Sequence, residues 1–333
     1  MSIHRNFRLT IVIPGKVMLF GEYAVLAGTP AMALAIGEGL RAEFVARQQP
    51  GIVVSSDYWQ EPKTMAELGE AASDWVMELV KETLGDWLAR GLAIHLQWQL
   101  PYAGGFGSSS ALCLGLFAAR PLLAAAREAQ PQPVAVWQWA DQAYQYQKSL
   151  QGFGSGYDVA TQAHGSLVRF DPKHWQEGQP CTDIWEACSH HLSALRVLVG
   201  GKGARTGAVG SRTLDWLATQ GQYPQLCRLT AEVVAEFEQG KTPIREIVPK
   251  IAQIRRLLQG APDNPPALAQ TLASLPGLDQ SWTYKLSGAG GEDAVLLFGE
   301  GDQLSAASQR LQAQGFSLMP IGRRHPGMQV SWS

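Results

Sequence analysis

The chain has 333 residues, of which 46% are apolar and 17% charged, and its formal net charge is −2 at pH 7. This is an ordinary globular composition, long enough for one large domain or two smaller ones. The nearly balanced charge gives no indication of a nucleic-acid or membrane partner. The four cysteines form no C-x-x-C pair, which favours a reduced interior without a metal site. The apolar run before Pro14 is too short for a signal peptide, so we expect a cytoplasmic protein.

The first half of the chain mixes predicted strands and helices. The strands are predicted over 7–13, 31–36, 40–46, 51–55, 92–100 and 165–170, with a further apolar stretch from Val17. The helices are predicted over 64–90, 111–128 and 134–150. Thr64 and Glu67 have the spacing of a capping box at the start of the first helix. Pro121 is expected to end or kink the second helix near Ala119.

The second half begins after a polar stretch, 172–193, which we interpret as the crossover between domains at 1–171 and 194–333. A strand is predicted over 195–199 and another over 294–298, with closing strands within 316–332. Helices are predicted over 211–218, 225–239, 243–259 and 303–314. We find no internal repeat and no low-complexity segment.

A glycine-serine loop at 101–110 joins the strand over 92–100 to the following helix. Such a loop keeps no side chain between itself and a ligand, and its N–H groups lie at a helix N-terminus, which favours a polyphosphate. The alternative is a flexible turn with a serine N-cap. The loop is not a Walker A motif, a dinucleotide fingerprint or a hydrolase elbow. The candidate phosphate-binding residues are Gly104, Gly105, Gly107, Ser108, Ser109 and Ser110.

Two charged residues stand beside glycines elsewhere in the first half. Lys16 follows Pro14-Gly15, and it is either a phosphate or catalytic partner or a strand-edge lysine that reaches water. Asp158 follows the glycine-rich stretch 151–156, and it is either an N-cap or a catalytic carboxylate. Gln147 lies on an otherwise apolar helical stripe, so it belongs to an internal network or faces a site.

Two further glycine-rich turns follow in the second half. The turn at 200–207 carries the cations Lys202 and Arg205, and the turn at 287–291 precedes Glu292. Either turn alone is weak support for a ligand site, because glycine-rich turns are common.

Three of these motifs, in this order and at these distances, resemble the galacto-, homoserine, mevalonate and phosphomevalonate (GHMP) kinase superfamily. The motifs are Pro14-Gly15-Lys16 with Gly21-Glu22, then Gly105-Phe106-Gly107-Ser108-Ser109, then Ser287-Gly288-Ala289-Gly290-Gly291. The resemblance implies an α+β fold of two domains. The N-terminal domain would be ribosomal-protein-S5-like with a left-handed β-α-β unit, the C-terminal domain would be ferredoxin-like, and ATP would lie between them.

Within the superfamily, the chain is most similar to the phosphomevalonate kinase arm of the mevalonate pathway of isoprenoid synthesis. Tyr23 stands where mevalonate kinases usually carry histidine, and the stretch 151–160 resembles the phosphomevalonate kinase loop. Gln147 stands where mevalonate kinases carry a magnesium-binding glutamate, and an amide is a poorer magnesium ligand than a carboxylate. Glu292 departs from the pattern, because a glycine is usual there.

The resemblance implies that ATP and Mg²⁺ are bound and that the loop at 104–110 holds the ATP phosphates, with the Ser109 hydroxyl on the metal. Asp158 would accept the proton of the attacking group, and Lys16 would lie beside it and neutralise the transferred phosphoryl. Lys202 and Arg205 would bind a small anionic alcohol or phosphate, with Lys148 and Arg196 behind them. The remaining residues expected at the substrate are Glu22, Tyr23, Ser155, Gly156, Ser287, Gly288, Ala289 and Gly290, together with Lys16.

Alternatives remain open from the residues alone. A mevalonate kinase or another GHMP small-molecule kinase would show the same three motifs. A related ATP-dependent decarboxylase would share the fold, and a non-catalytic nucleotide-binding homologue would explain Gln147 and Glu292. We expect a monomer or a homodimer.

Overall fold

A computed structural model describes residues 7–66, 74–128, 135–152, 154–175, 177–202, 206–262, 266–288 and 292–333. For Ala103 and for 127–128, 200–202, 206–210, 266–269 and 292–293 it describes the backbone alone. The strands are β1 (Arg8–Phe20), β2 (Ala31–Ala46), β3 (Ile52–Ser56), β4 (Lys63–Met65), β5 (Leu92–Trp98), β6 (Leu167–Phe170), β7 (Cys181–Asp183), β8 (Leu195–Lys202), β9 (Trp282–Leu286), β10 (Glu292–Gly299), β11 (Ser317–Met319) and β12 (Gln329–Trp332). The helices are α1 (Trp75–Leu84), α2 (Ser108–Glu128), α3 (Val136–Gln151), α4 (Tyr157–His164), α5 (Trp185–Cys188), α6 (Thr206–Thr219), α7 (Tyr223–Gln239), α8 (Ile244–Leu258), α9 (Pro266–Ala273) and α10 (Gly301–Gln312).

The first sheet is built on two long central strands, β1 and β2. Its strand order is β12-β1-β2-β5-β3-β4, and β6 pairs with both β2 and β7. β1 is antiparallel to β2, whereas β3 and β5 run parallel. Nearly every side chain of β1 is buried, on both faces of the sheet. A strand covered on both sides reads as a continuous apolar run, as this one does.

Two predicted breaks in the strands are wrong. The strand predicted to stop at Ile13 continues through Pro14 and Gly15 as part of β1, with shifts of register on either side of Pro14. Proline interrupts the hydrogen-bonded ladder because it has no N–H, but a bulge accommodates it without ending the strand. The strands predicted over 31–36 and 40–46 are likewise one strand, β2.

The helix predicted from Thr64 also differs from the structure. Lys63–Met65 pairs with β3 as a strand, and α1 starts only at Trp75, where the Asp74 carboxylate caps the N–H groups of Val76 and Met77. Glu67 lies outside the described residues, and the predicted capping box fails because Thr64 is in a strand.

The helix α2 passes through Pro121 instead of ending at Ala119. Its apolar side chains belong to the main core, and their burial outweighs the roughly 3 kcal/mol that an interior proline costs. The window Ser108–Ala126 is long and apolar enough to cross a membrane, but 72% of it is buried inside the protein, as in a central core helix.

The second sheet has the strand order β11-β8-β10-β9, with antiparallel neighbours throughout. With α6, α7 and α8 inserted between β8 and α9, these strands and the helices α9 and α10 follow the β-α-β-β-α-β order of a ferredoxin-like unit, which confirms the expected α+β fold. One face packs on α9 and α10 through Leu198, Val295 and Leu297. The other face joins α7 and α8 in the main core.

The predicted domain limits remain a proposal, with one adjustment at the C-terminus. The segment 172–193 contains β7, which pairs with β6 of the first sheet. The last strand, Gln329–Trp332, pairs with β1, so the end of the chain returns to the first sheet. We therefore propose that the second domain ends before Gln329.

Candidate active site

The glycine loop is held from one side by inward hydrogen bonds. Lys16 Nζ donates to the carbonyl oxygen of Gly105 (2.9 Å), and the backbone N–H of Lys16 donates to the carbonyl oxygen of Phe106 (3.0 Å). The Gln162 side-chain amide donates to the carbonyl oxygen of Gly107 (2.9 Å). Three successive carbonyl groups therefore face β1 and α4.

This arrangement orients the next three N–H groups. In a planar trans peptide the N–H points away from the preceding C=O, so the N–H groups of Phe106, Gly107 and Ser108 point away from Lys16. Gly105 and Gly107 have φ of 61° and 82°, which glycine adopts without strain. The result is a row of three donors at the N-terminus of α2, an arrangement that suits an anion.

The three loop serines differ in exposure. Ser108 is exposed and Ser109 is half-buried at the first turn of α2. Ser110 is buried, and its hydroxyl donates to the carbonyl oxygen of Gly107 (3.0 Å), so this hydroxyl is engaged within the loop. Gly104 is also buried, and a side chain there would collide with the ring of Phe106.

Lys16 is buried at 7% exposure, which excludes the strand-edge lysine that reaches water. Its Nζ donates to the Tyr157 hydroxyl at 2.6 Å and lies 4.8 Å from the centroid of that ring. Burial raises the pKa of Tyr157, which outweighs the opposing effect of Lys16, so the phenol is protonated at neutral pH. Lys16 thus reaches the residue that precedes Asp158.

Asp158 is half-buried in the first turn of α4 and is not its N-cap. The N-cap is Gly156, in a left-handed conformation with φ of 79° and packed against the ring of Tyr144. Asp158 Oδ1 accepts from the N–H of Val159 (3.0 Å). A carboxylate beside the Lys16–Tyr157 contact can take up a proton from a nearby group.

The third glycine motif reaches the same place from the second sheet. The Ser287 hydroxyl accepts from the N–H of Met18 (3.1 Å) and donates to the Met18 carbonyl oxygen (3.2 Å). A Cβ on Gly288 would lie 3.7 Å from the Tyr157 hydroxyl. The three motifs therefore converge around Lys16 and Tyr157.

Glu22 faces the interior and not an open site. At 4% exposure it forms an ion pair with Lys285 of β9, which is 2% exposed, and it accepts from the N–H of Gly288. Burial raises the pKa of Glu22 and lowers that of Lys285, because desolvation penalises both charged forms. Glu22 thus links the end of β1 to β9, and its expected contact with a substrate stays a prediction.

Tyr23 follows in a strained conformation, with φ of 59°. Its carbonyl oxygen accepts from the Tyr223 hydroxyl of α7 (3.0 Å). A non-glycine residue with positive φ persists when its surroundings hold it there, and such residues cluster at functional sites.

The structure describes only some of the residues that were expected to bind the acceptor. Arg205, Ala289 and Gly290 lie outside the described residues, and Lys202 is described by its backbone, opposite Glu292 in the pairing of β8 and β10. Arg196 lies six residues before Lys202, or about 20 Å along β8, and donates to backbone carbonyls there.

Lys148 is exposed, 5.6 Å from the centroid of the Tyr144 ring. Ser155 Oγ accepts from the N–H of Tyr157 (3.5 Å).

The donor set fits a nucleotide that brings its own magnesium. Among the described residues there is no group of three His, Cys, Asp or Glu side chains that could hold a metal. Mg²⁺ in nucleotide sites is typically bound by one or two carboxylates together with phosphates and water. Ser109 and Asp158 can supply a hydroxyl and one carboxylate, and Gln147, buried on α3, would offer a neutral amide.

An exposed aromatic pair borders the glycine loop. Tyr58 and Tyr102 are 73% and 49% exposed, and their ring centroids are 5.4 Å apart. The Tyr102 hydroxyl donates to Asp57, which also accepts from the N–H of Trp98. The pair is therefore tied to the end of β5, just before the loop.

Five of these residues were not singled out from the sequence as site residues: Tyr58, Tyr102, Gln162, Lys285 and, except as a neighbour of Asp158, Tyr157. Gln162 follows Asp158 by four residues, which places both on one face of a helix. That spacing could have identified it. Nothing in the sequence pairs Lys285 with Glu22, because 263 residues separate them.

Comparison with known proteins gives a family match over part of the chain. Residues 70–166 match the family described as "GHMP kinases N terminal domain". A curated mevalonate kinase of Thermococcus gammatolerans is 27% identical over 187 residues, which cover 49% of this chain and 52% of that protein. The chain spans about half the length of the curated relatives it matches.

Two solved structures share the fold over almost the whole chain. Methanococcus jannaschii mevalonate kinase superposes with a TM-score of 0.68 at 17% identity, covering 93% of this chain and 96% of that chain. Streptococcus pneumoniae phosphomevalonate kinase in complex with phosphomevalonate and AMPPNP gives 0.63 at 19% identity, covering 97% and 99%.

The fold and the site define a two-sheet α+β protein whose glycine loop opens at the N-terminus of a central helix. Residues 70–166 match the N-terminal domain of the GHMP kinases, and the chain as a whole shares its fold with solved mevalonate and phosphomevalonate kinases.

Proposed function

We propose that the protein transfers the γ-phosphoryl group of ATP to a small anionic acceptor. The observation that carries this proposal is the row of three outward N–H groups beside Lys16 and Asp158. In the proposed site the N–H groups bind the ATP phosphates, and Lys16 and Asp158 act on the γ-phosphate and on the acceptor hydroxyl or phosphate.

Phosphoryl transfer depends on positioning and on neutralising charge more than on covalent chemistry. In the proposed mechanism, Asp158 accepts the proton of the acceptor, and Lys16 stabilises the negative charge on the transferred group. The hydroxyl of the protonated Tyr157 accepts a hydrogen bond from Lys16 Nζ and thereby orients Lys16. A magnesium ion held by Ser109 together with the nucleotide phosphates would neutralise the phosphate oxygens when bound.

We propose that Tyr58 and Tyr102 form a platform for the adenine base. Both rings are exposed, and they border the loop that would hold the phosphates. Stacking of a base on an aromatic ring contributes about 1–3 kcal/mol. In this proposal the base lies at one end of the loop and the γ-phosphate at the other.

We propose phosphomevalonate as the acceptor. Tyr23, the stretch 151–160 and the neutral Gln147 support it, because they depart from the pattern of mevalonate kinases. Lys202 and Arg205 would bind its negative charges. Mevalonate is the second candidate, favoured by the names of the curated relatives, which are mevalonate kinases.

One panel tests the proposal and separates the candidates. Release of ADP is measured with mevalonate, phosphomevalonate, homoserine and galactose, and the products are identified by phosphorus NMR. We expect turnover with phosphomevalonate and a new diphosphate product. Turnover with mevalonate alone would favour the second candidate. Release of carbon dioxide would identify a decarboxylase, and ATP binding without turnover of any acceptor would contradict the kinase proposal.

A further inference from the structure

The Gln162 side chain connects the glycine loop to the central strand. It lies in α4 with 0% exposure, and its Nε2 donates to the carbonyl oxygens of Pro14 (3.0 Å) and Gly107 (2.9 Å). Its Oε1 is buried and has no hydrogen-bond partner among the described residues. Both N–H groups of this amide therefore donate to backbone carbonyl oxygens, whereas its own oxygen accepts no hydrogen bond from a described residue.

These contacts determine the orientation of the amide. A flipped amide would bring Oε1 against two carbonyl oxygens, which repel it. The orphan acceptor itself costs free energy, because a buried polar group without a partner loses its hydration. We therefore attribute the presence of glutamine here to its two donated hydrogen bonds and not to a gain in core stability.

The space around Gly107 leaves the loop little freedom. A Cβ there would lie 2.9 Å from Ser110 Oγ, 3.0 Å from Gln162 Nε2 and 3.1 Å from Lys16 Cε. The peptide between Gly107 and Ser108 is thus packed against Gln162 on its carbonyl side. Its N–H side is the third outward donor of the loop.

We infer that Gln162 is a positioning residue that holds the Gly107–Ser108 peptide with its N–H turned toward the nucleotide phosphates. This inference rests on the proposed nucleotide site. It predicts that loss of the amide weakens nucleotide binding and lowers the stability of the fold only slightly. The carbonyl oxygen of Gly107 would still accept from the N–H of Ala111 (2.9 Å) and from Ser110, so it would not become an orphan.

The test compares Gln162→Met with Thr161→Val. Methionine is an apolar residue of similar length, and it removes both the donors and the orphan acceptor. Thr161 is the matched control because it is the adjacent residue, also 0% exposed, and its hydroxyl donates to the Tyr157 carbonyl oxygen and not to the loop. Calorimetry measures the Kd for MgATP. Competition with MgATP measures the Kd for adenosine, which has no phosphate.

We expect Gln162→Met to raise the Kd for MgATP about two- to tenfold, the range of one neutral hydrogen bond. Its affinity for adenosine should stay near that of the wild type, and Thr161→Val should keep the wild-type Kd for MgATP. The melting temperature of Gln162→Met should fall only slightly, because the Pro14 carbonyl oxygen loses a donor while the orphan Oε1 is removed. An unchanged Kd in Gln162→Met, or equal losses in both variants, would overturn the inference. Wild-type protein that binds no MgATP would overturn the proposed function and the inference with it. If Gln162→Met does not fold, Gln162→Leu carries the same comparison.

Discussion

The buried pair of Glu22 and Lys285 provides a prediction with a calculable magnitude. Lys285→Met removes the cation and keeps most of the bulk of the stem. It leaves a buried carboxyl group whose remaining partners are backbone N–H groups, including that of Gly288. Breaking a buried ion pair from one side typically costs about 3–5 kcal/mol.

The orphaned carboxyl group limits this cost by taking up a proton. Its ordinary pKa is 4.5, so protonation at pH 7 spans about 2.5 pH units at ~1.36 kcal/mol each, or about 3.4 kcal/mol. Burial raises the pKa of Glu22 in the folded state. A group with a raised pKa is stabilising below its unfolded value, and that stability is lost as the pH rises toward the folded value. The deficit of Lys285→Met should therefore grow between pH 4.5 and pH 7.

Urea unfolding at pH 5 and pH 7, followed by tryptophan fluorescence, measures this deficit. The matched control is the double variant Glu22→Gln with Lys285→Met, which has no carboxyl group at position 22. We expect the single variant to lose about 2–3 kcal/mol more at pH 7 than at pH 5, and the double variant to show no such difference. An equal deficit of the single variant at both pH values would refute the charge argument. Glu22→Gln with unchanged stability and a raised acceptor KM would instead confirm the expected substrate contact of Glu22.

Three further substitutions test separate parts of the site. Ser109→Ala should raise the KM for MgATP and leave the acceptor KM nearly unchanged. The reverse pattern would show that Ser109 lies at the acceptor and not at the nucleotide. Tyr102→Ala should weaken ATP and ADP alike, at least about fivefold, with little change in melting temperature because the ring is half-exposed, whereas Tyr102→Phe should retain most of the affinity. Tyr157→Phe should lower kcat while the Kd for MgATP is kept, since it removes the oxygen that orients Lys16; single-turnover kinetics with an unchanged rate would show that Lys16 needs no such partner.

Local patterns predicted most of the elements but not their continuity. The alternation over 92–100 and the apolar periodicity of the helices gave elements at nearly the observed bounds. β1 and β2 were each divided in two, because Pro14 and the glycines of β2 have low strand propensity and the pairing that carries the strands through them is long-range. The start of α1 was misplaced for the same reason, since the pairing of Lys63–Met65 with β3 decides it.

The candidate site shows the same division between local and distant information. The glycine loop, Lys16 and Asp158 were recognisable from their neighbours in the chain. The partners of these residues were not, because Gln162 and Tyr157 meet the loop and Lys16 across 55 and 141 residues. The ion pair of Glu22 with Lys285 is one that no local pattern could indicate.

Asp158→Asn tests the central claim, that the three motifs assemble a site for phosphoryl transfer with Asp158 as the base. The amide keeps the shape of the side chain, and Asp158 does not cap α4, so melting temperature and MgATP binding should match the wild type. It cannot accept a proton, and loss of a general base lowers the rate about 10²–10⁴-fold. The measurement is the rate of ADP release with the acceptor that the panel identifies. The account predicts a loss of at least about a hundredfold with normal melting; a nearly normal rate would remove Asp158 from the site and contradict the mechanism.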